Sequence, residues 1–125
     1  MGKDELGGCG KINFVSRRSV PSIQQKIQWL LEDLKGYQPE KIILFGSAAR
    51  READSFSDLD VLIIKHTRTL FVQRAVEAVK FLRPEIAPVD FFVYTPDEFN
   101  RMVEEESPFI ERILAEGKVL YEKAA

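Results

Sequence analysis

Cysteine is almost missing from this chain. Cys9 stands alone among 125 residues, so no intramolecular disulfide framework and no cysteine-rich zinc site can form. That pattern fits a reducing compartment, and a cytoplasmic setting is expected. Histidine is equally scarce. His66 has no second histidine to share a metal and reads as a strand-end surface residue. Charge of one sign is missing too. A formal net charge of -2 gives no basic field to draw the chain onto DNA or RNA, so strong nucleic-acid binding is not expected. No apolar run approaches the roughly 18 to 20 residues of a membrane span. The stretch MGKDELGGCGKINF has no continuous apolar core and does not read as a secretory signal. Its glycines predict a flexible leader over residues 1–18. Internal repeats and long linkers are absent, so residues 19–125 are expected to form a single domain.

What is present is ordered by periodicity. Pro21 and Ser22 can open a helix that carries Ile23, Ile27, Leu30, Leu31 and Leu34 on one face and stops near Gly36. Trp29 lies off that stripe and reads as an interface candidate. Strands are expected at 40–45, 59–65 and 88–94, with an edge strand at 118–121. A short helix is expected over 47–53, beginning at Ser47. Thr69 should cap another helix running to about Leu82, before Pro84. Thr95-Pro96-Asp97-Glu98 is a capping box, and Ser107-Pro108 opens a last helix ending near Gly117. These elements give an α/β (α+β) domain: a small mixed β-sheet with helices packed mainly on one face.

The chemistry is concentrated between residues 42 and 93. The apolar run Ile42-Ile43-Leu44-Phe45 ends in Gly46-Ser47, and Asp58-Leu59-Asp60 opens the next apolar run. Alternate residues of a strand share a face, so Asp58 and Asp60 point the same way. Two carboxylates at a sheet rim suit a hard cation such as Mg2+. A Gly-Ser turn beside them can hold phosphate oxygens. GSAAR is not a P-loop, because the second glycine with Lys-Ser/Thr is missing. Asp90 sits inside the apolar stretch PVDFFVY, where a lone carboxylate is costly unless paired or metal-bound. If strand 88–94 lies beside strand 59–65, Asp90 joins Asp58 and Asp60, and three carboxylates can bind two divalent ions. Such a site can activate an acceptor hydroxyl, with Asp90 helping to accept its proton, for attack on an α-phosphate that releases pyrophosphate.

Together these residues resemble the nucleotidyltransferase superfamily with the polymerase β palm-like fold, and most closely its minimal nucleotidyltransferases (MNT). The pattern there is Gly-Ser, Ala-Arg-Gly, a gap, Ser-Asp-x-Asp and a later Asp. This chain supplies Gly46, Ser47, Ala49, Arg50, Ser57, Asp58, Asp60 and Asp90, and departs at Arg51, where glycine is usual. The resemblance implies that Gly46 and Ser47 bind the triphosphate of ATP or another NTP, with Ser57 in the same motif. It implies that Asp58 and Asp60 ligate two Mg2+ ions and that Asp90 completes the second metal site. Arg50 either supports phosphate binding or braces the local structure.

Many minimal members are similar to antitoxins of two-gene modules whose partner is a HEPN-type ribonuclease toxin. The resemblance implies transfer of AMP from ATP to a tyrosine of that toxin. Two alternatives stand beside it: an antitoxin that works by binding alone, and a small-molecule transferase acting on an aminoglycoside-like hydroxyl. The short chain has no room for an acceptor domain, so the acceptor surface must come from a partner or from a second copy in a homo-oligomer.

Overall fold

The computed structural model describes residues 21–53 and 57–124. The expected leader and Cys9 lie outside the described residues. The first helix, α1 (Ile23–Asp33), begins where Ser22 accepts a hydrogen bond from the Gln25 amide at 3.1 Å. That contact satisfies an amide with no partner inside the helix. Leu30 and Leu34 are fully buried, each stabilising the fold by about 1.5–3 kcal/mol of apolar transfer. The helix runs on as a 3-10 turn over Leu34–Tyr37 and ends at Gln38, which is left-handed at φ 60°. Gly36 is therefore not the stop. It lies where an added Cβ would come within 3.2 Å of the Phe81 ring.

Trp29 is half-buried against the main core, with the Arg83 guanidinium 5.0 Å from its ring centroid. Packing and a cation–π contact thus cover the residue that the sequence offers as an interface.

Four strands form one sheet: β1 (Lys41–Phe45), β2 (Leu59–Ile64), β3 (Val89–Tyr94) and β4 (Lys118–Glu122), in the order β3-β2-β1-β4. β1 runs antiparallel to both β2 and β4, whereas β2 and β3 are parallel. A parallel pair needs a crossover, and α2 (Phe71–Val79) supplies it. The central strands read as continuous apolar runs because both of their faces are covered.

On one face Ile42, Leu44, Val61, Ile63 and Val93 pack with Leu30, Leu34 and Ala78, which makes the larger core beneath α1 and α2. On the other face Ile43, Leu62 and Ile64 meet Ile110 and Ile113 of α4 (Pro108–Glu116). Phe99 and Met102 of α3 (Pro96–Glu104) join this smaller core.

Thr69 does not cap α2. Leu70 occupies the N-cap position with no side-chain cap, and the Thr69 carbonyl instead accepts from Arg74 Nε at 2.8 Å. The helix ends at Val79, short of Leu82, in turns that precede a 3-10 segment at Pro84–Ile86. The capping box of α3 forms in full. Thr95 Oγ1 accepts from the Glu98 amide at 3.2 Å, and the Thr95 amide donates to Glu98 Oε1 at 2.9 Å. Among the described residues, no helix is long and apolar enough to cross a membrane.

Candidate active site

The chain leaves β1 through Gly46, whose φ is 75°. Glycine is required here twice over. The left-handed backbone disfavours a side chain, and an added Cβ would lie 2.3 Å from Asp60 Oδ2. The Asp60 carboxylate therefore sits directly against the backbone of the Gly-Ser turn.

No regular helix follows over 47–53. Single hydrogen bonds close a loop instead: Arg50 N–H to Gly46 O, Arg51 N–H to Ala48 O, and Glu52 N–H to Ser47 O at 2.9 Å. Arg51 explains the difference. Its φ is 63°, in the left-handed region that ends a right-handed helical path. This is the position where the motif usually carries glycine. Arg51→Gly should raise unfolding stability by about 0.5–1 kcal/mol, the relief of left-handed strain less the backbone entropy of glycine. Urea denaturation measures this directly, and a less stable variant would contradict the strained backbone.

Strand register builds the acidic cluster. Asp60 is the direct partner of Phe45 on β1 and of Asp90 on β3. Neighbouring parallel strands lie about 4.8 Å apart, so the Asp60 and Asp90 side chains stand side by side on one face. Asp58, two residues before Asp60, joins that face. Asp60 is half-buried, while Asp58 and Asp90 are exposed. Burial pushes the Asp60 carboxyl above its ordinary range. The negative charges of Asp90 and Asp58 and a hydrogen bond shared with Asp90 push the same way, and the Arg50 charge opposes them. The expected meeting of the three acids is thus present electrostatically, with Asp60 at its centre.

Among the described residues, no group of three or more His, Cys, Asp or Glu side chains could hold a metal ion. Mg2+ typically takes one or two carboxylates and fills its octahedron with water and phosphate oxygens. The donors here are all carboxylate oxygens, open to solvent on the Asp58 and Asp90 sides. The residues present fit a hard divalent cation.

Arg50 braces the loop. Its Nε meets Glu52 Oε1 at 3.0 Å, and Nη1 meets Glu116 Oε1 at the end of α4 at 3.3 Å. Ser47 and Ser57 are half-buried on the two sides of the segment joining β1 to β2. His66 lies past the opposite end of β2, lining a separate hollow of about 410 Å³ with Lys35, Lys65 and Lys123.

The sequence reading missed a second hollow, of about 490 Å³. Ala75, Val76, Val79 and Lys80 of α2 and its end line one side, and Val89, Asp90, Phe91 and Phe92 line the other. The signal was present in FVQRAVEAV, where Val72, Val76 and Val79 recur at helical spacing. The surprise is orientation. α2 turns Arg74 and Ala78 inward and leaves its valines exposed.

A family model described as "Polymerase beta, Nucleotidyltransferase" matches residues 25–125. A candidate nucleotidyltransferase from Sulfolobus solfataricus shares the fold, with a TM-score of 0.53 and 19% identity over 89% of this chain and 94% of that one. A toxin–antitoxin structure with AMP-PNP shows a TM-score of 0.48 and 17% identity, over 78% of this chain and 73% of that one. No curated protein matches the sequence significantly.

Proposed function

The chain belongs to the polymerase β nucleotidyltransferase family, and from that premise we propose that it is a Mg2+-dependent enzyme transferring AMP from ATP to a protein hydroxyl. The proposed acceptor is a tyrosine of a HEPN-type toxin, which makes the enzyme an antitoxin, with the cytoplasm as its setting. One observation carries the reading: Asp60 and Asp90 are register partners on adjacent strands, and Asp60 packs against Gly46.

In this reading the backbone N–H groups around Gly46 and Ser47 hold the triphosphate. Asp58, Asp60 and Asp90 would hold up to two Mg2+ ions. Bound there, Mg2+ supplies charge neutralisation on the phosphates and lowers the pKa of the acceptor hydroxyl. The acceptor oxygen attacks the α-phosphorus and forms a new P–O ester bond. The bond from the α-phosphorus to the α–β bridging oxygen breaks, and pyrophosphate leaves with that electron pair. The hydroxyl proton passes to the Asp90 carboxylate, which is exposed at the sheet edge.

A purely binding antitoxin fits less well. Burial first, and then repulsion from Asp90 and Asp58, raises the Asp60 carboxyl, and clustering three acids there is a cost that a binding surface has no use for. The site makes a direct prediction about its nucleotide. ATP affinity should rise at least roughly tenfold on adding Mg2+, because bare carboxylates repel phosphates. Calorimetric titration with ATP in Mg2+ and in EDTA tests this, and equal affinities would count against the proposed site.

A further inference from the structure

The acidic cluster spans the ends of β2 and the outermost strand β3, and the surface beside β3 is apolar. Among the described residues, β3 pairs only with β2 and is the outermost strand; Phe91 and Val93 on it are buried, and the Val93 carbonyl accepts from Arg74 Nη1 at 3.2 Å. Next to that strand, α2 exposes Val72 (77%), Val76 (58%) and Val79 (49%), with Leu70 (67%) just before the helix. These four side chains expose on the order of 400 Å², within the range of the largest apolar patch on a typical monomer and about half of one partner's share of a standard interface.

The stripe and the acidic cluster are continuous. Val76 and Val79 line the same hollow as Asp90 and Phe92, which come from the other face of the sheet. The hollow therefore runs from the α2 stripe past β3 to Asp90. Charge narrows the choice of occupant. Arg68 and Lys80 are exposed at the two ends of the stripe, and neither has an ion-pair partner among the described residues.

We propose that the exposed stripe of α2, with the hollow that joins it to Asp90, docks the acceptor protein. The docked surface sets apolar side chains on Val72, Val76 and Val79. It carries acidic residues opposite Arg68 and Lys80, and it brings the acceptor hydroxyl to Asp90. The inference rests on the nucleotidyltransfer reading and adds where the acceptor binds and what its surface must look like.

The test uses full-length protein, Mg2+ and ATP labelled at the α-phosphate in an extract of the source cells. Val76→Glu and Lys80→Glu change exposed side chains outside the nucleotide site. Leu114→Glu, at an exposed position on α4, is the control. At limiting extract, label on the acceptor band should fall at least tenfold for Val76→Glu and Lys80→Glu and stay at wild-type level for Leu114→Glu. Raising the extract concentration should restore it, and the affinity for Mg2+-ATP should be unchanged in all three. Wild-type labelling by Val76→Glu, with labelling lost in Asp60→Asn, would leave the transferase standing and overturn the docking surface. A wild-type dimer in sedimentation that Val76→Glu dissociates would assign the stripe to a second copy and overturn it equally. No labelled band from wild type would remove the transferase reading, and the docking surface with it.

Discussion

Asp60→Asn should lower AMP transfer by roughly a thousandfold or more while leaving the metal-free protein at least as stable as wild type. The loss follows from position. Asp60 is the register partner of Asp90, lies two residues from Asp58, and packs on the Gly46 backbone. The gain in stability follows from repulsion. Burial and two neighbouring carboxylates make the charged form of Asp60 unfavourable without a cation. Asparagine keeps the shape and removes the charge. Thermal melts in EDTA and label-transfer rates in Mg2+ measure the two effects separately. A variant that transfers at the wild-type rate would refute the catalytic role. One that melts well below wild type would refute the repulsion.

Arg74→Met should have the largest effect on folding, about 3 kcal/mol and a fall in Tm of more than about 10 °C. The Arg74 side chain is 7% exposed and joins three elements. It donates to Thr69 O at 2.8 Å, to Val93 O at 3.2 Å, and to both Glu98 oxygens at 2.7 and 3.2 Å. Methionine keeps much of the volume but leaves those acceptors without their donor. Glu98 is 37% exposed, so water recovers part of its loss, and the estimate stays at the low end for a broken buried pair.

The same pair sets an acid dependence. Hydrogen bonding from Arg74 holds the Glu98 carboxyl below its ordinary range, against an opposing burial effect. A carboxyl depressed in the folded state adds stability that is fully present above its unfolded pKa, about 4.5, and lost as pH falls through the folded value. The stability gap between wild type and Arg74→Met should therefore narrow below about pH 4.5. Denaturant titrations across pH 3 to 7 read that gap, and a constant gap would contradict the pairing.

Much of this was legible from residues alone, for physical reasons. The strands at 41–45, 59–64 and 89–94 announced themselves because both sheet faces are buried, so each reads as an unbroken apolar run. A carboxylate stranded in such a run marked Asp90 as needing a partner, but its pairing with Asp60 depended on strand adjacency that only the sheet reveals. The α3 start was legible because a capping box is a local device of four residues. Harder to read were the features that depend on tertiary contact. The 47–53 segment carries helix-forming residues, but Arg51 is left-handed at φ 63° and ends the helical path. Thr69 looked like a cap, yet Leu70 takes the N-cap position and the helix starts at Phe71. The inward face of α2 could not be read from hydrophobicity, because a paired arginine faces the sheet and the valines face outward.

The measurement that bears most directly on the central claim is label transfer from ATP, with the label at the α-phosphate in one reaction and the γ-phosphate in another. Wild-type protein and Mg2+ are added to extract of the source cells, beside the Asp60→Asn protein. The account predicts a protein band labelled only from the α-position, absent with EDTA and absent with Asp60→Asn, with the label on a hydroxyl side chain. Label from the γ-position, or an α-labelled band that persists with Asp60→Asn, would contradict nucleotidyl transfer by this carboxylate cluster.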